Sequence, residues 1–221
     1  MIRLAVFDLD GTLLDTLDDI AAVANGILEK NGFSPLSVET FKKKLIGNGA
    51  HEMMRRAVAS VCADSEVIDR LAREFKAVYT DTEKSATQPY DGITQMLSTL
   101  QSRGIATAVL SNKPHGATVQ MVEKYFPGIF ETAVGNRDGV PLKPDPASLL
   151  ALCESFGAGK EEVVYIGDSE TDLFTANNAG VACISVSWGF RAREELLGYG
   201  AKTVADTAED IAKYIGLISS I

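Results

Sequence analysis

The stretch Val6-Phe7-Asp8-Leu9-Asp10-Gly11-Thr12-Leu13-Leu14 decides how this chain reads. It sets two carboxylates two residues apart at the end of the apolar run Ile2 to Phe7, which has the character of a short buried strand. In a strand, residues i and i+2 point to the same side, so Asp8 and Asp10 are expected to face one pocket. Asp-Gly is also a common turn signal, and an aspartate at a strand end often does no more than satisfy loop amides. The rest of the chain has to decide between these readings.

At 221 residues, 46% of them hydrophobic, the chain can bury one large domain or a core with a small insertion. No apolar run reaches the roughly 18 to 20 residues that cross a bilayer, and the sequence enters its first strand without a signal peptide, so a cytoplasmic location is expected. Cys62, Cys153 and Cys183 are odd in number, far apart and set in apolar context. That argues for buried reduced thiols rather than a disulfide framework or a zinc site. The net charge of −9 opposes wholesale binding to nucleic acid or an anionic membrane. It leaves room for a small anionic substrate, because lysines, a metal and backbone amides can reverse the potential within one cleft.

After the first strand, Ile20, Val23, Ala24, Ile27 and Leu28 recur at helical spacing, with Gly32 as the C-cap. Three further helical patterns follow: Val38, Phe41 and Leu45; Met53 to Val61; Val67 to Val78. Residues 16–83 therefore read as an all-helical block. From Pro89 the pattern alternates: helix Ile93 to Arg103, strand Ala106 to Leu110, helix Ala117 to Tyr125, a short strand near Ala133, helix Ala147 to Phe156, strand Val163 to Ile166, helix Asp172 to Asn178 and strand Ala182 to Val186. Such a βα series predicts an α/β fold, a doubly wound parallel sheet with helices on both faces, formed by residues 1–15 and 84–221 and interrupted by the helical insertion 16–83.

Ligands of open parallel sheets bind beyond the carboxyl ends of the strands. Those ends carry Asp8 and Asp10, Ser111-Asn112, and Gly167-Asp168-Ser169-Glu170-Thr171-Asp172, while Lys143 lies in a loop stiffened by Pro144 and Pro146. Singly, each has an ordinary reading: a turn, a helix cap, a solvated lysine, or carboxylates favouring a helix dipole. Together and in this order they compose a phosphoryl-transfer site. Asp8 and Asp168 supply the hard oxygens Mg²⁺ prefers. Ser111, Lys143 and the amides around Leu9 and Asn112 are placed to bind phosphate oxygens. Asp8 is the candidate nucleophile, and Asp10 the general acid and then base.

These motifs, Asp8-Leu9-Asp10-Gly11-Thr12, Ser111-Asn112, Lys143-Pro144 and Gly167-Asp168 with Asp172, resemble the haloacid dehalogenase superfamily over essentially the whole chain. The resemblance implies a Rossmann-like core with a C1-type cap at residues 16–83, hinged at Asp15-Thr16 and Ala86 to Asp91. It implies nucleophile Asp8, acid/base Asp10, phosphate or substrate ligands Thr12, Ser111, Asn112 and Lys143, and Mg²⁺ held by Asp8, the Asp10 carbonyl and Asp168. Asp172 would orient a metal-bound water or Lys143. The partner implied is a small phosphorylated metabolite, met by a monomer or homodimer.

More local likeness points to the phosphoglycolate phosphatase-like branch: Gly47-Asn48-Gly49 with Arg55-Arg56, Pro89-Tyr90-Asp91-Gly92, Ser111-Asn112-Lys113-Pro114 and Trp188-Gly189-Phe190. Asn48 and Gly49 are candidates to lean into the site, and Lys113 to bind the substrate's anionic end. Among Lys42-Lys43-Lys44 and Arg55-Arg56, one cation at most is expected to reach the cleft. His51 and His115 are not needed by the chemistry. Phosphoglycolate is the first substrate considered. A β-phosphoglucomutase-like isomerase, a pyrophosphatase and a nucleotidase share the motifs, whereas dehalogenases lack the carboxylate that Asp10 provides.

Overall fold

The computed structural model describes residues 1–218, so positions 219 to 221 of the expected core segment lie outside the described residues. Strand β1 (Leu4–Phe7) is fully buried, the pattern of a parallel strand covered on both faces. After it come β2 (Leu14–Asp15), α1 (Leu17–Lys30), the one-turn α2 (Val38–Thr40), α3 (Gly49–Val58), α4 (Ser65–Asp81) and β3 (Gln88–Pro89). A π-helical turn, Phe41–Leu45, continues α2. The alternating half holds α5 (Ile93–Ser102), β4 (Ala106–Pro114), α6 (His115–Tyr125), β5 (Thr132–Asn136), α7 (Ala147–Ser155), β6 (Val163–Gly167), α8 (Glu170–Ala179) and β7 (Ala182–Val186). It closes with α9 (Arg193–Gly198), β8 (Val204–Ala205) and α10 (Ala208–Ile218), none of which the sequence pattern had assigned.

Six strands form one parallel sheet in the order β5-β4-β1-β6-β7-β8. The chain builds outward from β1 first through β4 and β5, then in the other direction through β6, β7 and β8. The order therefore reverses beside β1, which is where a doubly wound sheet opens its crevice. Strand alternation divides the core: Leu4, Val6, Val163 and Tyr165 pack on one face with Leu149 and Leu152, while Ala5, Phe7, Val164 and Ile166 pack on the other. The second core runs on without a break into the helices between residues 17 and 81, taking in Leu28, Phe41, Met54, Leu71 and Tyr79.

β2 and β3 form an antiparallel ribbon where the helical segment leaves and rejoins the sheet. Asp19 ties this crossing: its carboxylate accepts from the Ala86 and Thr87 amides and, at 2.6 Å, from the Thr87 hydroxyl. The three cysteines are free; Cys153 is buried, but Cys62 and Cys183 are half-buried, because each sits at the margin of its apolar cluster. Among the described residues no helix is long and apolar enough to cross a membrane.

Candidate active site

β1 ends at Phe7, so strand alternation does not place both aspartates. A turn does: Leu9 O accepts from the Thr12, Leu13 and Leu14 amides, and Gly11 N–H donates to Leu14 O. The wound-up loop points Asp8 and Asp10 into one cavity of about 60 Å³. Gly11 is required there, with φ 84° and with the Asp168 carboxylate lying where a Cβ would stand.

Asp8 Oδ1 accepts from Leu9 N–H at 2.7 Å and faces Lys143 Nζ at 3.1 Å, while Oδ2 has no hydrogen-bond donor among the described residues. The Leu9 amide, expected on a phosphate oxygen, thus serves the carboxylate instead. Lys143 is likewise committed: its buried ammonium meets Asp8, Asp172 at 2.7 Å and the Tyr165 hydroxyl at 2.9 Å. An ammonium has three donors, so these partners saturate it. It supports the nucleophile through its ion pair with Asp8.

Asp168, at the end of β6, accepts from the Thr12 hydroxyl at 3.2 Å and from Phe190 N–H at 2.7 Å. Thr12 is fully buried and its hydroxyl is oriented on that carboxylate. Asp172 sits in the first turn of α8, where Oδ2 accepts from the Ser169 amide and hydroxyl and Oδ1 from Lys143 and Tyr165. Both of its oxygens are therefore occupied by protein donors.

Carboxylate oxygens of Asp8, Asp168 and Asp172 lie within 4.8 Å of one another, all buried. Burial above all pushes Asp8 up to about 7; Asp172 and Asp10 add to the push, while Lys143 and the Leu9 amide oppose it. Burial, then Asp172 and Asp8, holds Asp168 well above the usual carboxylate range. Lys143 alone does not balance this concentration of charge. An all-oxygen donor set of this kind fits a hard divalent cation.

Ser111 lies within β4 rather than beyond it, at the irregularity between Leu110 and Pro114. Its oxygen accepts from Lys113 N–H at 3.3 Å, and its own hydroxyl proton has no acceptor among the described residues, leaving a donor free at the cavity wall. Asn112 also borders the cavity, but its side chain is a brace: the amide donates to Gly47 O and Lys143 O and accepts from Lys143 N–H. Lys113, expected on the substrate, donates to both Asp10 oxygens at 2.7 and 3.0 Å and to the Tyr79 hydroxyl at 3.0 Å.

The helical segment forms the opposite wall through Ile20, Ile46, Gly47, Gly49, Ala50, Met53, Phe75 and Tyr79. Asn48 does not line it; its side chain meets the Thr171 hydroxyl at 3.4 Å and joins the two halves of the molecule. Arg55 and Arg56 both pair with Glu52 at 2.6 Å, and His51 pairs with Asp69 at the surface. His115 accepts from Gly135 N–H, away from the cavity.

Sequence reading missed three participants. Tyr165 bonds Lys143 and Asp172 beneath the nucleophile, Arg191 joins Glu170 to Lys42 O, and Tyr79 reaches Lys113 from α4. A tyrosine inside the apolar strand Val163 to Ile166 is a signal that could have been used, since a buried phenol needs a partner. The other two sit in patterns that read as ordinary helix or loop.

The family described as haloacid dehalogenase-like hydrolase matches residues 5–186. The chain belongs to that family, and its parallel sheet flanked by helices is the fold its solved neighbours share. Within it, the chain is a phosphoglycolate phosphatase-like enzyme. It is 33% identical over 226 residues to the phosphoglycolate phosphatase of Rhodospirillum rubrum, covering 98% of this chain and 92% of the relative. It is also 33% identical over 192 residues to that of Pseudomonas putida, covering 85% and 70%. A crystal structure of a candidate phosphoglycolate phosphatase from Lactobacillus delbrueckii superposes with a TM-score of 0.89 at 33% identity, covering 96% of this chain and 98% of the other.

Proposed function

We propose that this phosphatase hydrolyses a small phosphomonoester, with 2-phosphoglycolate the first substrate to test, through an aspartyl-phosphate on Asp8 and with Mg²⁺ as cofactor. The observation that carries the reading is the meeting of Asp8, Asp10, Ser111 and Asp168 on one cavity of about 60 Å³. That volume is far below the ~300 Å³ at which drug-sized pockets begin, which favours a short leaving group over a hexose or nucleoside.

Asp8 Oδ2 attacks phosphorus as the bond to the leaving-group oxygen breaks, and Asp10 delivers a proton to that oxygen. Leu9 N–H and Lys143 hold Oδ1, which fixes the direction of attack. In the second half, Asp10 takes a proton from water, the oxygen so activated attacks phosphorus, and the bond to Asp8 breaks to release phosphate. The Ser111 hydroxyl donates to a phosphoryl oxygen as charge shifts. Asp8, Asp168 and the Asp10 carbonyl would hold the cation, which supplies the positive charge that lets a phosphate approach carboxylates. Asp172 keeps Lys143 and the Ser169 turn in place.

Phosphate release from phosphoglycolate, sugar phosphates, nucleotides and pyrophosphate, with and without Mg²⁺, tests the reading. A preference for short monoesters that needs the cation is the expected result. Activity that requires a bisphosphate primer and frees no phosphate would point to an isomerase and overturn it.

A further inference from the structure

Beyond the reacting end, the cavity is bounded by side chains that offer a substrate no hydrogen bond: Ile20, Ile46, Met53 and Phe75. Two polar groups interrupt that wall, Lys113 and Tyr79. Lys113 is turned toward Asp10 and Tyr79 and is saturated by them. Tyr79 is different. Its ring is 1% exposed, stacked on Phe75 with centroids 5.2 Å apart, and its hydroxyl oxygen accepts from Lys113 at 3.0 Å. The hydroxyl proton finds no acceptor among the described residues, although a buried phenol ordinarily donates.

We infer that Tyr79 is a specificity-determining residue whose hydroxyl donates to an oxygen at the far end of the leaving group. The residue chain Asp10, Lys113, Tyr79 leads from the proton donor across to α4, so a leaving group two or three atoms long that starts at Asp10 ends beside the phenol. Donation from the Lys113 ammonium polarises the phenol and strengthens its own O–H as a donor. Burial pushes the phenol up to about 12, which keeps that proton in place at neutral pH. The chemical class selected is a short phosphomonoester carrying a carboxylate or hydroxyl about two carbons from the ester oxygen. An alkyl phosphate of equal length would leave the donor unpaired, and burying an unpaired donor is costly.

This inference rests on the phosphatase reading above. The test compares 2-phosphoglycolate with ethyl phosphate, which differ at the leaving group's far carbon, in the wild type and in Tyr79→Phe, which keeps the ring stack. The wild type is expected to favour phosphoglycolate, and the variant to lose about 10- to 100-fold of that kcat/KM ratio, mainly through the KM for phosphoglycolate. Tyr79→Met, lacking the hydroxyl but filling apolar space, supplies a second reading should the first variant melt early. An unchanged ratio in the variants, or no preference in the wild type, overturns the role of Tyr79 while leaving the phosphatase reading intact. Absence of phosphate release from every phosphomonoester tried overturns both.

Discussion

Asp8 and Asp10 are separated by one residue and differ in what holds them. Asp8 is fixed through Oδ1 by Leu9 N–H and Lys143, whereas Asp10 is gripped on both oxygens by Lys113. Their replacements are therefore expected to fail differently. Asp8→Asn removes the attacking oxygen's charge and abolishes phosphate release, with the melting temperature retained because the amide is nearly isosteric. Asp10→Asn leaves the nucleophile in place and removes proton transfer, lowering kcat about 10²- to 10⁴-fold. Rapid-quench analysis of the second variant should still detect phosphate on the protein. Steady phosphate release by Asp8→Asn would refute the nucleophile. Both aspartates were legible from sequence because a carboxylate pair at a strand end is a local pattern. The partner of Asp10 was not, since Lys113 lies 103 positions away.

Among the elements, α3 illustrates how position alters the meaning of a charge run. Arg55 and Arg56 read in the sequence as part of a solvated helix face from which one cation at most reaches the cleft. The helix places Glu52 three and four residues before them, and both arginines turn to it. Arg56 also donates to Lys44 O, tying α3 to the π-helical turn. These arginines hold the Glu52 carboxyl down at about 2, from an ordinary value near 4.5. A depressed acid stabilises the fold above its unfolded pKa, and that contribution fades as pH falls through the interval from about 4.5 to 2. Glu52→Gln is thus expected to melt earlier than wild type at neutral pH and to match it near pH 2. Equal separation of the two melting curves at both pH values would rule out the ion-pair account. Helix α3 itself was readable from Met53, Met54 and Val58, whereas α9, β8 and α10 escaped notice. α9 and β8 are too short for periodicity to stand out, and α10 follows them without a strand long enough to mark its start.

At the scale of the molecule, the sheet and the helical segment meet over a buried group of carboxylates that protein cations only partly balance. A divalent cation bound there adds to the stability of the whole fold, by about 2.7 kcal/mol at a concentration 100 times its Kd. Mg²⁺ is expected to raise the melting temperature by several degrees in a protein of this size, chelation to reverse the rise, and Asp168→Asn to abolish it. A wild-type melting curve indifferent to Mg²⁺ and Mn²⁺ alike would count against the metal site. The two halves are also joined directly, through Asn112 to Gly47, Asn48 to Thr171, Arg191 to Lys42 and Lys113 to Tyr79. None of those pairs is close in sequence.

The amino-acid sequence alone determined the βα succession, the helical insertion and the acidic residues at the strand ends, because periodicity and turn chemistry act over a few neighbouring residues. Only the tertiary structure decided which groups line the cavity and which other side chains they meet. Thr12, Asn112, Lys113 and Lys143 carry the right chemistry to bind phosphate, but each is turned to a partner brought from another strand or loop. Tyr79 has no sequence motif around it and still reaches the cavity. A buried polar group must find its hydrogen bonds wherever folding places them, and that requirement is settled by packing across the chain rather than by order along it.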